Sequence, residues 1–120
     1  MLQALNFKGK TALIMGASRG IGLATAQKLA QYGATTFLAA RSFDAITTAA
    51  QDINAQGGSA HAVKCDVSDY QSVERAVDAC LDLRGRIDYL INNAGVIEPL
   101  AHLIDSDPAQ WGLAADINYK

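Results

Sequence analysis

Apolar residues in this chain fall into short unbroken runs that alternate with longer, face-patterned stretches. "TALIM" (11–15) is apolar throughout and stops at a glycine, as a strand buried on both faces does. Residues 20–32 follow a helical spacing, with Ile21, Ala24 and Leu29 expected to point inward and Gly33 as the stop. "TTFLAA" (35–40) reads as a second strand. Ser42 is placed to cap a second helix, whose Ile46, Ala49, Ala50 and Ile53 share a face until "QGG" ends it. "AHAVK" (60–64) is a weaker third strand. Ser68 and Gln71 have capping-box spacing ahead of a stripe of Val73, Val77, Cys80 and Leu81. "IDYLI" (87–91) is the fourth strand, and Asp107-Pro108 opens a fourth helix.

Strand and helix alternating at this spacing specify an α/β protein with a parallel sheet, because right-handed crossovers lay successive strands side by side. The expected architecture is a Rossmann-like doubly wound sheet of four strands with one reversal of strand order, and one domain over 1–120. The fourth strand is then an edge without a protective lysine or proline. That incomplete C-terminal edge predicts either that the sequence is the N-terminal part of a longer single-domain protein or that a partner covers the edge.

Composition narrows the class without naming a function. Half of the 120 residues are hydrophobic and 18% are charged, enough to build a core. The net charge of -2 offers no basic face for nucleic acid. No apolar run approaches a membrane span, and the first ten residues lack the pattern of a secretory leader, so a cytoplasmic protein is expected. Cys65 and Cys80 have neither CxxC spacing nor histidine partners and read as core thiols, with no metal site expected. His61 and His102 read as surface histidines.

The chemistry concentrates in "GASRGIG" (16–22), between the first strand and the first helix. Gly16, Gly20 and Gly22 frame Ser18, Arg19 and Ile21. A turn there needs one glycine for its backbone, one for the approach of a phosphate and one for close helix–strand packing. The helix end adds unpaired N–H groups and a partial positive charge. A plain tight turn remains the alternative. No Lys-Ser or Lys-Thr follows the glycines, which disfavours a triphosphate loop.

With "NNAG" at 92–95, the chain resembles the short-chain dehydrogenase/reductase family, whose loop reads T-G-x-x-x-G-I-G where this one reads M-G-A-S-R-G-I-G. The departure is Met15 for threonine. The resemblance runs from "GKTALIMGASRGIG" through "CDVSD" to "WGLAADIN". It implies the strand order 3-2-1-4, a nicotinamide dinucleotide cofactor and hydride transfer to or from a carbonyl or secondary alcohol. It further implies that Asp66 accepts from the adenine amino group and that Val67 lies against the ring; a turn-capping aspartate is the alternative. Asn92, Ala94 and Gly95 match the segment beside the adenosine ribose, partly as a brace for the central sheet, and Ile97 is placed nearer the nicotinamide. Asn118 matches the family's catalytic asparagine. Relatives usually form dimers or tetramers, so a homo-oligomer is implied.

Cofactor choice is read at the end of the second strand. An acidic residue there accepts the ribose hydroxyls of NAD, but this chain has Ala40 followed by Arg41. Arg41 and Arg19 can each donate to a 2′-phosphate, with charge-assisted bonds worth about 1.5–3 kcal/mol. NADP(H) is therefore expected over NAD(H), the alternative for each being a solvated arginine. The family's serine and Tyr-x-x-x-Lys do not occur, and Tyr119-Lys120 are adjacent, about 100° apart on a helix, and carry no role. The 120-residue chain alone is expected to be inactive. A non-catalytic nucleotide-binding or interaction module is the alternative from another class. A nucleotide-sugar epimerase or a methyltransferase on a similar fold fits the loop spacing and the neutral Ala40 less well.

Overall fold

The computed structural model describes residues 6–93. The order is β1 (Thr11–Met15), α1 (Gly20–Gln31), β2 (Thr35–Ala40), α2 (Phe43–Ala55), β3 (Ser59–Lys64), α3 (Tyr70–Arg84) and β4 (Tyr89–Asn92). All pairings are parallel, in the expected order β3-β2-β1-β4. β1 is central and buried along its whole length, which is why it can be apolar without alternation. Among the described residues no helix is long and apolar enough to cross a membrane.

The period of two along the strands sorts side chains onto two faces. Leu13, Met15 and Phe37 pack under Val73, Val77 and Cys80 of α3. Ala12, Ile14 and Leu38 face Ala26 and Ala30 of α1 and Ile46 of α2. Helices on both sides make the sheet doubly wound.

The buried face of α1 differs from the expected one. Ile21 is 53% exposed and Ala24 is exposed, whereas Gly22, Ala26 and Ala30 are buried. The helix lies so close to the sheet that small residues set the contact, so its most apolar face is not its innermost. Leu29 is half-buried against the same cluster.

The helix caps differ too. Ser42 occupies the N-cap position of α2 but makes no side-chain capping bond. Asp69, not Ser68, caps α3, its Oδ1 accepting from the Gln71 N–H at 3.1 Å. Ser68 instead gives its N–H (3.0 Å) and hydroxyl (2.6 Å) to Oδ1 of Asp66. A carboxylate is the stronger acceptor, so it takes the serine's donors and ends the capping box.

β4 begins two residues later than expected. Asp88 precedes it and clamps the start of β1: its N–H donates to the Thr11 carbonyl, and its Oδ2 accepts the Thr11 N–H, both at 2.8 Å. Arg86 pairs with the other carboxylate oxygen, and Arg84 Nε donates to the Thr11 hydroxyl at 3.2 Å. On the outer strand β3, the Asn54 amide closes on Ala60, donating to its carbonyl at 3.0 Å and accepting its N–H at 2.8 Å. The side chain satisfies two groups that an unpaired edge would expose. His61 is not a plain surface residue: it is half-buried and stacks on Phe37, ring centroids 4.9 Å apart.

Candidate functional site

Four strand ends and the loops that follow them enclose a cleft of about 760 Å³ on the carboxyl side of the sheet. It spans the point where strand order reverses between β1 and β4, the position at which open α/β sheets bind ligands.

The loop after β1 contributes Gly16, Ser18, Arg19 and Gly20. Gly16 (φ 75°) and Gly20 (φ 64°) both take left-handed backbone, which a side chain would strain. Gly22 has no such angle but no room. A Cβ there would press into the Gly16 carbonyl, 3.0 Å from its carbon and 3.2 Å from the Ala17 Cα. The turn is held by the Gly16 and Ala17 N–H groups, which both donate to the Ala39 carbonyl at 2.8 and 3.2 Å. These anchors do not need the threonine hydroxyl of the family signature. Met15 is fully buried, with its Sδ 3.7 Å from Cys65 Sγ.

Helix α1 meets the cleft uncapped: Arg19 at its N-cap makes no side-chain bond, and no acidic residue lies in its first turn. The amino end therefore keeps donors and partial positive charge for a ligand. The α2 side adds Arg41 and Ser42, whose hydroxyl is not spent on a cap.

The opposite wall is Cys65, Asp66, Val67 and Ser68. The hydroxyl and N–H of Ser68, with a smaller contribution from the charge of Arg41, hold the Asp66 carboxyl below its ordinary range. Both Ser68 bonds use Oδ1, and the Asp66 N–H donates to Ser72 Oγ at 2.8 Å. Asp66 thus shapes the turn and still has Oδ2 to offer. Cys65 is buried, and desolvation pushes its thiol above the usual range; Cys80 is raised for the same reason. Both are free thiols.

Of the residues singled out from sequence, Gly16, Ser18, Arg19, Gly20, Arg41, Asp66 and Val67 share this cleft. Ile21 and Gly22 do not line it, one turned to solvent and the other packed beneath the loop. Asn92 is fully buried at the end of β4 rather than in the cleft. Its neighbour Asn93 lines the cleft instead, its N–H donating to the Met15 carbonyl at 2.9 Å. The sequence reading passed over Asn93, although strand alternation sends the neighbour of a core-facing residue the other way. Ala94, Gly95, Ile97, the helix expected from Pro108 and Asn118 lie outside the described residues.

The model of the family described as short chain dehydrogenase matches residues 10–120, and the chain belongs to that family. The chain is 43% identical over 112 residues to oxidoreductase UcpA of Salmonella typhimurium, covering 93% of this chain and 42% of that one. It therefore spans less than half the length of that relative. Among solved structures it resembles a 7α-hydroxysteroid dehydrogenase complexed with NADH and 7-oxo glycochenodeoxycholic acid (TM-score 0.74, 35% identity, 76% of this chain and 36% of that one). A similar match is actinorhodin polyketide ketoreductase with NADPH (TM-score 0.69, 35% identity, 72% and 33%).

Proposed function

We propose that this chain is the cofactor-binding half of an NADP(H)-dependent oxidoreductase acting on a carbonyl or secondary alcohol. When bound, the nicotinamide ring donates or accepts the hydride. The observation that carries the reading is the cation pair Arg19 and Arg41 beside the uncapped end of α1, with no carboxylate on the β2 side of the cleft.

Each wall has a separable task. The N–H groups of α1 take the pyrophosphate, for which Gly16 and Gly20 leave the backbone bare. Arg41, Arg19 and the Ser42 hydroxyl receive the 2′-phosphate. Asp66 Oδ2 accepts from the adenine amino group while its other oxygen holds the turn, and Val67 packs on the ring. Asn93, at the β4 end, and Ala94 and Gly95 after it, bound the ribose. Asn118 supplies the family's asparagine, while the family's serine and Tyr-x-x-x-Lys do not occur in these 120 residues.

Two relatives of similar fold carry NADH and NADPH respectively, so family membership alone does not choose the cofactor. Fluorescence titration of the full-length protein with both cofactors tests the choice. NADPH is expected to bind at least tenfold tighter, the loss of one charge-assisted bond being worth about that much. Equal affinity, or tighter NADH, overturns the reading.

A further inference from the structure

Beyond Arg41 and Asp66 the cleft opens into a second depression, of about 800 Å³, around the end of β3. Three cations line it: Arg41, Lys64 at the end of β3, and Arg75 one turn into α3 from Ser72. All three are exposed, and none forms a salt bridge among the described residues, where the one ion pair is Arg86–Asp88. Two carboxylates also line the depression, each with Oδ1 bonded to neutral donors, Asp66 to Ser68 and Asp69 to the Gln71 N–H, so the cations outnumber the acids three to two. Ser72 fixes the geometry by accepting the Asp66 N–H, which seats the start of α3 against the β3 end.

Three cations without a salt bridge among the described residues thus share one depression and leave it with an excess of positive charge over its two acids, and Ser42 adds a hydroxyl that no cap consumes. That donor set suits a group that only accepts, carries more than one charge and has several terminal oxygens. We propose that Lys64 and Arg75, together with Arg41, form a second anion subsite for a phosphomonoester dianion, contiguous with the adenosine end of the cleft. The placement rests on reading the cleft as a dinucleotide site. The phosphomonoester is either the 2′-phosphate of the cofactor, shared between the two depressions, or a separate phosphate bound beside it.

The test uses the full-length protein and the double variant Lys64→Gln/Arg75→Gln, whose exposed positions leave the core untouched. NADPH and NADH are titrated by fluorescence, and inorganic phosphate is titrated by calorimetry into NADPH-saturated protein. If the subsite receives the 2′-phosphate, the double variant binds NADPH about tenfold more weakly, with NADH unchanged. If it receives a separate phosphate, the wild type binds inorganic phosphate when saturated with NADPH and the variant does not, while NADPH affinity holds. A variant that matches the wild type in both titrations overturns the subsite. Should the wild type bind NADH as tightly as NADPH, the cofactor reading fails by itself, and the phosphate titration still decides the subsite.

Discussion

Gly22 sits directly beneath Gly16, the first residue of α1's buried face pressed against the carbonyl of the loop that opens the cleft. The contact couples helix packing to loop position, since neither backbone can move without the other. Gly22→Ala should shift the loop, cost about 1–3 kcal/mol in denaturant unfolding as an overpacked site, and weaken dinucleotide binding at least tenfold. Gly20→Ala meets open space and is strained only by its φ of 64°. It should cost about 1–2 kcal/mol. Equal losses of affinity in the two variants would argue against a packing role for Gly22.

Asp66 gives the cleft an acid-side dependence. Its folded carboxyl is depressed below the ordinary 3.8, first by the Ser68 hydroxyl and then by the Ser68 N–H. A depressed carboxylate contributes stability that is present above the unfolded value and lost as pH falls through the folded one. The turn should therefore loosen only below about pH 4. In Ser68→Ala the Asp66 carboxyl should titrate at higher pH, read by NMR on the side-chain carboxyl carbon. An unmoved titration would mean that Ser68 does not hold it.

Strand order, the doubly wound layering and part of the cleft lining, Gly16, Ser18, Arg19, Gly20, Arg41, Asp66 and Val67, were legible in the sequence because they rest on local signals. These are unbroken apolar runs, glycines at strand ends, and charges immediately after strands. The misassigned features rest on competition between partners. Ile21 looked inward by hydropathy, but distance to the sheet selects Gly22, Ala26 and Ala30. Ser68 had capping spacing, but Asp66 and Asp69 are better acceptors within two residues of it. Asn93 stood beside Asn92 as an identical residue type, and only the register of β4 against β1 separates the one in the core from the one in the cleft.

Asp88 ties the base of the sheet together far from the cleft. It is 5% exposed and accepts the Thr11 N–H while paired with Arg86. Asp88→Ala leaves a buried N–H unsatisfied and should destabilise by about 1–3 kcal/mol. Asp88→Asn keeps an oxygen for Thr11 but loses the charge partner of the half-exposed Arg86, and should cost about 1 kcal/mol or less. Chemical denaturation of both variants checks the ordering; an asparagine variant as unstable as the alanine one would place the stabilisation in the ion pair.

Met15 is where this chain departs from the family's threonine, and the structure sets its role in the core. The side chain is fully buried against Cys65, while the turn it precedes is anchored through the Ala39 carbonyl. Met15→Thr restores the family residue but opens a gap in the core and buries a hydroxyl. It should lower stability by about 2–4 kcal/mol. Dinucleotide affinity at low temperature, with the variant still folded, should change less than about threefold, since no loop anchor is lost. The same gap should expose the Cys65 thiol, so its reaction with a thiol reagent should quicken relative to the wild type, in which burial keeps it protonated and covered. A variant that binds the cofactor more than tenfold tighter would show instead that the wild-type loop is under-anchored and that the missing hydroxyl matters.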